Sequence, residues 1–207
     1  RDPYGIKPFF HLVTPEGDTP VELALPGRHN VLNALAAASL ALGAGADLAA
    51  IVAGLEAARS VAGRLVTHRL SSGATLIDDS YNANPGSLNA AIDTLAAAGG
   101  ENWLVLGDMR ELGADAEALH AEAGRRARHA GIARLYTLGP LSAAAAHAFG
   151  EGAAHYDSHD ALAAALRAEL PAHVRVLVKG SRGSAMDRVV KALLPADERP
   201  DGPGGHA

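Results

Sequence analysis

The sequence predicts an α/β fold, in which a mostly parallel sheet is flanked by helices and preceded by a hairpin and two helices. From about Ser60 onward, short apolar segments alternate with longer segments of helical periodicity, as in βαβ units. Several of the short segments, such as WLVL and VLV, are continuously apolar, which is typical of strands buried on both faces. Three of them run directly into polar, glycine-bearing loops.

Composition narrows the possible classes of function. The 207 residues carry a net charge of −5, which gives no electrostatic reason to expect a nucleic acid partner. The chain contains no cysteine, so disulfides and thiolate metal sites are excluded. No apolar segment approaches the roughly 20 residues of a membrane span, so we expect no membrane insertion. Because the chain begins with Arg1 rather than with methionine, we expect it to be a fragment of a longer protein.

The first part of the chain predicts a hairpin and two helices. Residues 9–25 read as two short strands around a turn rich in Pro, Glu, Gly and Asp. A helix follows over about 30–42 and ends at Gly43. Asp47 is predicted to cap the next helix, whose apolar residues follow i, i+3, i+4, i+7 spacing. Residues 1–59 therefore offer too little to close a core alone.

The second part predicts a sheet with intervening helices. The predicted strands lie at 64–70, 74–79, 102–107, 134–138, around 155–156 and 174–179. The predicted helices lie at 87–98, 115–130, 141–149, 158–169 and 185–194. Ser72 and Gly73 indicate that the first two strands form an antiparallel hairpin, whereas the others are parallel. The Pro/Gly-rich tail, 195–207, is predicted to be disordered.

Three polar loops are expected to define a site. They are IDDSYNANPGS at 77–87, GDMRELG at 107–113 and KGSRGSAMD at 179–187. In open α/β sheets, ligands bind beyond the carboxyl ends of the strands, so these loops would meet at one edge. Exposure alone could make one such loop polar, but three together favour a binding site.

Several of these side chains have a structural alternative. Asp79 could cap a turn, although a carboxylate at a strand end can also accept both hydroxyls of a ribose. Ser87 is predicted to be a helix N-cap rather than a ligand contact. Asp108 and Glu111 could serve only to organise the turn before the helix at 115.

The third loop has a composition that suits an anion. Lys179, Ser181 and Arg182 supply hydrogen-bond donors beside Gly180 and Gly183. Such a set can hold a phosphate or a carboxylate. As a motif GSRGS is weak, and a solvated loop remains the alternative.

Two further positions suggest nucleotide binding. Asn30 and Asn33 are one helical turn apart, so they share a helix face, and an amide can pair with the edge of an adenine. Capping could explain Asn30 but explains Asn33 poorly. Arg64, in VAGRL, could reach a phosphate or be a surface charge.

The sequence also argues against some kinds of site. His29, His68 and His120 do not have the spacing of metal ligands, most of the ten histidines are expected to face solvent, and no structural metal is predicted. No G-x-x-x-x-G-K-[ST] loop occurs, so a phosphate-cradling loop for ATP would have to lie upstream.

In chain order, the segments LPGRHNVLNALAAASLAL, VAGR, IDDSYNANPGS, VLGDMRELG and LVKGSRGSAMD resemble the Mur ligase family over residues 9–194. The resemblance implies that residues 1–62 end a central ATPase domain and that residues 63–194 form the family's Rossmann-like C-terminal domain. It places the phosphate loop and most magnesium ligands upstream of this chain.

The same resemblance implies a cytoplasmic ATP-dependent ligase that uses Mg²⁺. The combination of DDSYNANP, GDMxELG and KGSR is most similar to members that join D-alanyl-D-alanine to UDP-N-acetylmuramoyl-tripeptide through an acyl phosphate, in peptidoglycan precursor synthesis. The implied ATP-binding residues are Asn30, Asn33, Arg64, Asp79, Tyr81 and Asn82, and Arg64 is also the implied catalytic residue. The implied dipeptide-binding residues are Asn84, Lys179, Ser181 and Arg182.

Two alternatives remain open at the level of sequence. One is another ligase of the superfamily, of the folylpolyglutamate or cyanophycin type. The other is a non-catalytic, nucleotide-binding fragment. We expect the isolated chain to be inactive and monomeric.

Overall fold

A computed structural model describes residues 8–25, 28–59 and 62–195 of the chain. They form two compact units, of which the first ends at residue 60 and the second begins at residue 61. The predicted boundary lies two residues later. That the two units belong to different domains of a larger enzyme stays a prediction.

The first unit contains the predicted hairpin and both predicted helices. Its elements are β1 (Phe9–Thr14), β2 (Gly17–Glu22), α1 (Arg28–Gly43) and α2 (Leu48–Ala57). The two strands pair antiparallel, with Thr14 opposite Gly17 at the turn. Asp47 caps α2 as predicted, because its Oδ1 accepts a hydrogen bond from the Ala50 amide at 2.7 Å.

The first unit has a small core and an exposed apolar surface. Seven residues form its buried cluster: Leu12, Val21, Leu23, Ala34, Ala38, Ile51 and Leu55. Phe9, Val13, Leu32 and Leu40 are nevertheless each at least 60% exposed. Isolated exposed apolar residues are common, but four large ones in so short a segment are unusual for a self-contained unit.

The second unit is a six-stranded sheet flanked by five α-helices. Its strands are β3 (Val66–Arg69), β4 (Thr75–Asp79), β5 (Asn102–Gly107), β6 (Arg134–Leu138), β7 (Ala153–Tyr156) and β8 (Arg175–Lys179). Its helices are α3 (Pro85–Ala97), α4 (Ala116–His129), α5 (Ala143–Phe149), α6 (His159–Glu169) and α7 (Asp187–Leu193). The strand order is β3-β4-β8-β5-β6-β7. Only β3 is antiparallel to its neighbour, so the predicted α/β class and the predicted hairpin are confirmed.

Both faces of this sheet are buried. Trp103 and Val105 of β5 belong to a core cluster that includes residues of α6 and α7. The alternate residues Leu104 and Leu106 point to the opposite face and are also buried. This arrangement explains why the central strands read as continuous apolar segments rather than as alternating ones.

Two further expectations from the sequence concern the C-terminal tail and membrane spans. The predicted disorder of 195–207 falls outside the described residues, apart from Pro195. Within the described ranges, no helix is both long enough and apolar enough to cross a membrane.

Candidate functional site

The three polar loops lie at the same edge of the sheet. Strands β4, β8 and β5 are neighbours in that order and run parallel, so the residues after them emerge side by side. Asp79 stands opposite Lys179, which in turn stands opposite Leu106. The prediction that the three loops meet at one edge is therefore confirmed.

At the centre of this edge, Asp79 and Lys179 form a buried ion pair. The Lys179 ammonium donates to Asp79 Oδ2 at 2.5 Å and to the Asn82 carbonyl at 3.0 Å. The side chains are only 4% and 14% exposed for Lys179 and Asp79 respectively. Burial raises the pKa of the Asp79 carboxyl above its ordinary value, while the charge and hydrogen bond of Lys179 and the amide of Leu65 oppose that rise.

The turn that carries Arg64 is attached to the loop after β4. The Tyr81 amide donates to the Gly63 carbonyl at 2.9 Å, and the Leu65 amide donates to the Asp79 carboxylate. Gly63 has a φ of 76°, and a Cβ there would lie 2.9 Å from the Tyr81 nitrogen, so the turn requires glycine. Leu65 adopts a φ of 52°, which is uncommon for a branched residue and shows how tightly the turn is held.

Two arginines from distant parts of the chain contact the ring of Tyr81. The Arg64 guanidinium carbon lies 4.4 Å from the ring centroid, and the Arg182 guanidinium carbon lies 5.8 Å from it. Both distances fall within the range of cation–π attraction. Tyr81 is 37% exposed and both arginines are exposed, so this cluster of two cations and one aromatic ring faces solvent.

The hydroxyl of Ser181 links all three loops. It donates to the Ala83 carbonyl at 3.2 Å and accepts from the Arg110 amide at 2.8 Å. The Ser181 amide donates to the Asp108 carbonyl at 2.9 Å. Ser181 and Lys179 therefore use most of their hydrogen-bonding capacity within the chain. That either of them contacts a dipeptide stays a prediction.

Two glycines at the ends of β5 and β8 leave room for the turn that precedes α7. A Cβ on Gly107 would lie 2.6 Å from Cγ of Met186, and a Cβ on Gly180 would lie 2.5 Å from Oγ of Ser184. Neither glycine has a positive φ, so it is the absence of a side chain rather than backbone freedom that matters here.

The GDMRELG loop is organised differently from the prediction. Asp108 Oδ1 accepts from the amides of Leu141 and Ser142, at 3.1 and 2.8 Å, so it orders the loop after β6 rather than the turn before α4. His120 is fully buried: its Nε2 accepts from the Met109 amide at 2.9 Å, and its Nδ1 donates to the Ala116 carbonyl at 2.6 Å. Only the position of His120 on the buried face of α4 could have indicated this role from the sequence.

The loop after β4 ends in a capping box, and one prediction about it is wrong. Asn84, not Ser87, is the N-cap of α3. Its Oδ1 accepts from the Ser87 amide at 2.8 Å, while Ser87 Oγ accepts from the Asn84 amide at 3.2 Å. The side chain of Asn82 turns back on its own loop, where its Oδ1 accepts from the Ala83 amide at 2.9 Å.

In the first unit, Asn30 and Asn33 share one face of α1 as predicted. Asn33 Nδ2 lies 3.5 Å from Asn30 Oδ1. α1 begins at Arg28, so Asn30 lies inside the first turn of the helix.

A parallel sheet with donor-rich loops at its carboxyl edge is typical of enzymes that bind anionic substrates. The family model described as Mur ligase, glutamate ligase domain matches residues 63–182. This match covers more than half of the chain, and the chain belongs to the Mur ligase family.

Individual relatives are similar over nearly the whole chain. The UDP-N-acetylmuramoyl-tripeptide–D-alanyl-D-alanine ligase of Escherichia coli K12 is 47% identical over 186 residues, covering 89% of this chain and 41% of the relative. The enzyme of that name from Haemophilus influenzae is 36% identical over 190 residues, with the same shares covered. The chain thus spans about two fifths of the length of the curated relatives it matches.

Solved structures agree with this assignment. MurF from Acinetobacter baumannii superposes with a TM-score of 0.80 at 32% identity, covering 92% of this chain and 43% of that chain. MurF ligase from Thermotoga maritima, solved in complex with ADP, has a TM-score of 0.72 at 22% identity, covering 89% and 42%. The second similarity is evidence of the fold alone.

Proposed function

We propose that this chain is part of an ATP-dependent ligase that joins D-alanyl-D-alanine to UDP-N-acetylmuramoyl-tripeptide in cytoplasmic peptidoglycan precursor synthesis. The observation that carries the proposal is the meeting of the three family motifs at one sheet edge, around the Asp79–Lys179 pair. The relatives that bear this enzyme name supply the identity of the two substrates.

The proposed reaction has two steps. The terminal carboxylate of the tripeptide takes the γ-phosphoryl group of ATP, which gives an acyl phosphate and ADP. The amine of D-alanyl-D-alanine then attacks the acyl carbon, and the tetrahedral intermediate collapses to the new amide and inorganic phosphate. Arg64 would stabilise the charge on the transferring phosphoryl group, because a guanidinium can bind two phosphate oxygens at once.

The remaining nucleotide contacts are assigned to both units. Asn30 and Asn33 would face the adenine, and Asp79 would accept from the ribose hydroxyls. In the present structure Asp79 already accepts from Lys179 and Leu65, so a ribose would bind at its remaining lone pairs. Tyr81 and Asn82, which the family resemblance also assigns to the nucleotide, lie in the same loop as Asp79.

The dipeptide is assigned to the other side of the same edge. Asn84, Lys179, Ser181 and Arg182 are the residues that the family resemblance places there. Of these four, Arg182 is the exposed cation, which suits it to hold the dipeptide carboxylate. The other three support the loops through the internal hydrogen bonds described above.

The family resemblance assigns most ligands of the magnesium ion to residues upstream of this chain. Among the described residues there is no group of three or more His, Asp or Glu side chains that could hold a metal ion. When bound, Mg²⁺ would neutralise phosphate charge. The exposed apolar side chains of the first unit support the proposal that this unit is one portion of a larger domain.

The test is a ligation assay on the chain extended by the upstream portion that its relatives contain. Phosphate release should require ATP, the tripeptide substrate and D-alanyl-D-alanine together. Arg64→Gln should lower turnover by at least about a hundredfold, the scale of a lost transition-state donor. Arg125→Gln is the matched control, because Arg125 pairs with Glu122 on the surface of α4 and should leave turnover unchanged.

Other outcomes would favour the alternatives. Turnover with glutamate in place of D-alanyl-D-alanine would indicate a folylpolyglutamate or cyanophycin type of ligase. Calorimetric binding of ATP without ligation by the extended protein would indicate a nucleotide-binding module. Unchanged turnover in Arg64→Gln would remove Arg64 from the mechanism.

A further inference from the structure

The ring of Tyr81 contacts two arginine side chains that the family resemblance assigns to different substrates. Arg64 precedes β3, and Arg182 follows β8, yet both guanidinium groups lie within 6 Å of the same ring centroid. Among the described residues, neither guanidinium has a carboxylate partner: the ion pairs of this unit involve other side chains. Two like charges beside one ring repel each other, and an anion bound between or beside them would offset that repulsion.

The backbone around each arginine is fixed before any ligand arrives. The Arg64 turn is attached to Tyr81 and Asp79 through the Gly63 carbonyl and the Leu65 amide. The Arg182 turn is closed by Ser184, whose amide and hydroxyl donate to the Ser181 carbonyl at 2.8 and 2.6 Å. Because this backbone is already ordered, binding an anion would cost conformational entropy mainly in the two arginine side chains.

We propose that Arg64, Arg182 and Tyr81 form a single oxyanion-binding site, in which both guanidinium groups hold the same phosphate or carboxylate. This inference rests on the proposed function and changes one part of it: the two arginines act on the same substrate rather than one on ATP and the other on the dipeptide. Tyr81 is then a positioning residue, because its ring holds both guanidinium groups in place and its hydroxyl is not required.

Two substrates of the proposed reaction could supply the oxyanion that binds at this site. The terminal phosphate of the nucleotide and the carboxylate of the dipeptide both present oxygens that match a guanidinium fork. Two guanidinium groups together can contact all the free oxygens of a phosphoryl group, whereas a single carboxylate has only two oxygens. Because a terminal phosphoryl group offers more acceptor oxygens, we expect the phosphate to be the ligand.

The test compares equilibrium binding of two probes to the extended protein and to its variants by calorimetry. The probes are a non-hydrolysable ATP analogue and D-alanyl-D-alanine. Arg64→Gln and Arg182→Gln should each weaken binding of the same probe by about tenfold, the effect of losing one charged hydrogen bond. Binding of the other probe should change less than about twofold, as should both in the Arg125→Gln control.

Two substitutions of Tyr81 distinguish a loss of arginine positioning from a loss of folding. Tyr81→Phe keeps the ring and should bind like the unmodified protein. Tyr81→Leu removes the ring and should weaken the probe that the two arginine variants weaken, with circular dichroism unchanged.

The outcomes are distinct. If Arg64→Gln weakens only the ATP analogue and Arg182→Gln weakens only the dipeptide, the single site is wrong and the proposed function stands. Loss of binding in Tyr81→Phe would overturn the role of the ring. Failure of the unmodified protein to bind either probe would contradict the proposed function, and this inference with it.

Discussion

Replacing Lys179 with methionine should destabilise the second unit through Asp79. Methionine keeps most of the aliphatic length of lysine but removes the charge and both hydrogen bonds of the ammonium, to Asp79 and to the Asn82 carbonyl. The Asp79 carboxylate would then remain buried without its counterion.

The expected magnitude follows from the burial of the pair. Exposed ion pairs contribute about 0.2–1 kcal/mol, whereas breaking a buried pair costs about 3–5 kcal/mol. Lys179 is 4% exposed and Asp79 is 14% exposed, so the buried case applies. Because the Leu65 amide still donates to Asp79, we expect a loss of about 3 kcal/mol, at the lower end of that range.

The stability that Lys179→Met loses should depend on pH. Burial already raises the pKa of Asp79 above its ordinary 3.8, so the folded state holds this proton more tightly than the unfolded state does. The stability from this group is therefore greatest below that value and falls as the pH rises through the folded-state pKa. Removing Lys179 raises the pKa further and extends the fall to higher pH. The difference between Lys179→Met and the unmodified chain should thus be small in acid and largest at neutral pH.

The assay is denaturant unfolding followed by Trp103 fluorescence. Trp103 is the only tryptophan of the chain and is buried in the second unit, so its signal reports that unit. Adding Asp79→Asn to Lys179→Met should recover most of the lost stability, because no buried charge remains. A loss below about 1 kcal/mol, or one that is equal in acid and at neutral pH, would refute the argument.

Further predictions concern helix packing and capping in the second unit. Gly124→Ala should destabilise the second unit by about 1–3 kcal/mol, because the new Cβ would lie 2.1 Å from the Ala145 carbonyl oxygen. This loss would occur although alanine is the better helix former. Gly86→Ala in α3 is the matched control and should be neutral or stabilising, since its nearest contact would be an ordinary 3.5 Å; thermal unfolding of both variants checks this. Asn84→Ala should cost about 1 kcal/mol by removing the capping box with Ser87, and Asn84→Ser should retain most of it; equal losses would contradict the cap.

Periodicity was sufficient to predict the secondary structure of the second unit. Every predicted strand and helix of that unit is present, because apolar segments of strand length and helical spacing are local features of the sequence. The cap of α3 was misplaced by three residues, although Pro85 at the first helical position already favoured Asn84.

The site was predicted only in outline. That three loops gather at one edge follows from the general rule for parallel sheets. The ion pair between Asp79 and Lys179 does not follow, because it depends on β8 lying beside β4 in a particular register. The contact of Arg182 with Tyr81 depends on the same long-range pairing, and so does the Ser181 hydroxyl bridge to Ala83.

The position of β8 has a consequence for biosynthesis. Among the strands that the structure describes, β8 is the last to be synthesised, yet it occupies the middle of the sheet, between β4 and β5. Until β8 is synthesised, β4 and β5 each have one unpaired edge. Unpaired strand edges can pair with other chains, so the nascent chain is prone to aggregate. Ribosomes that stall before β8 should therefore yield aggregation-prone products, rather than an intact sheet that lacks only one loop.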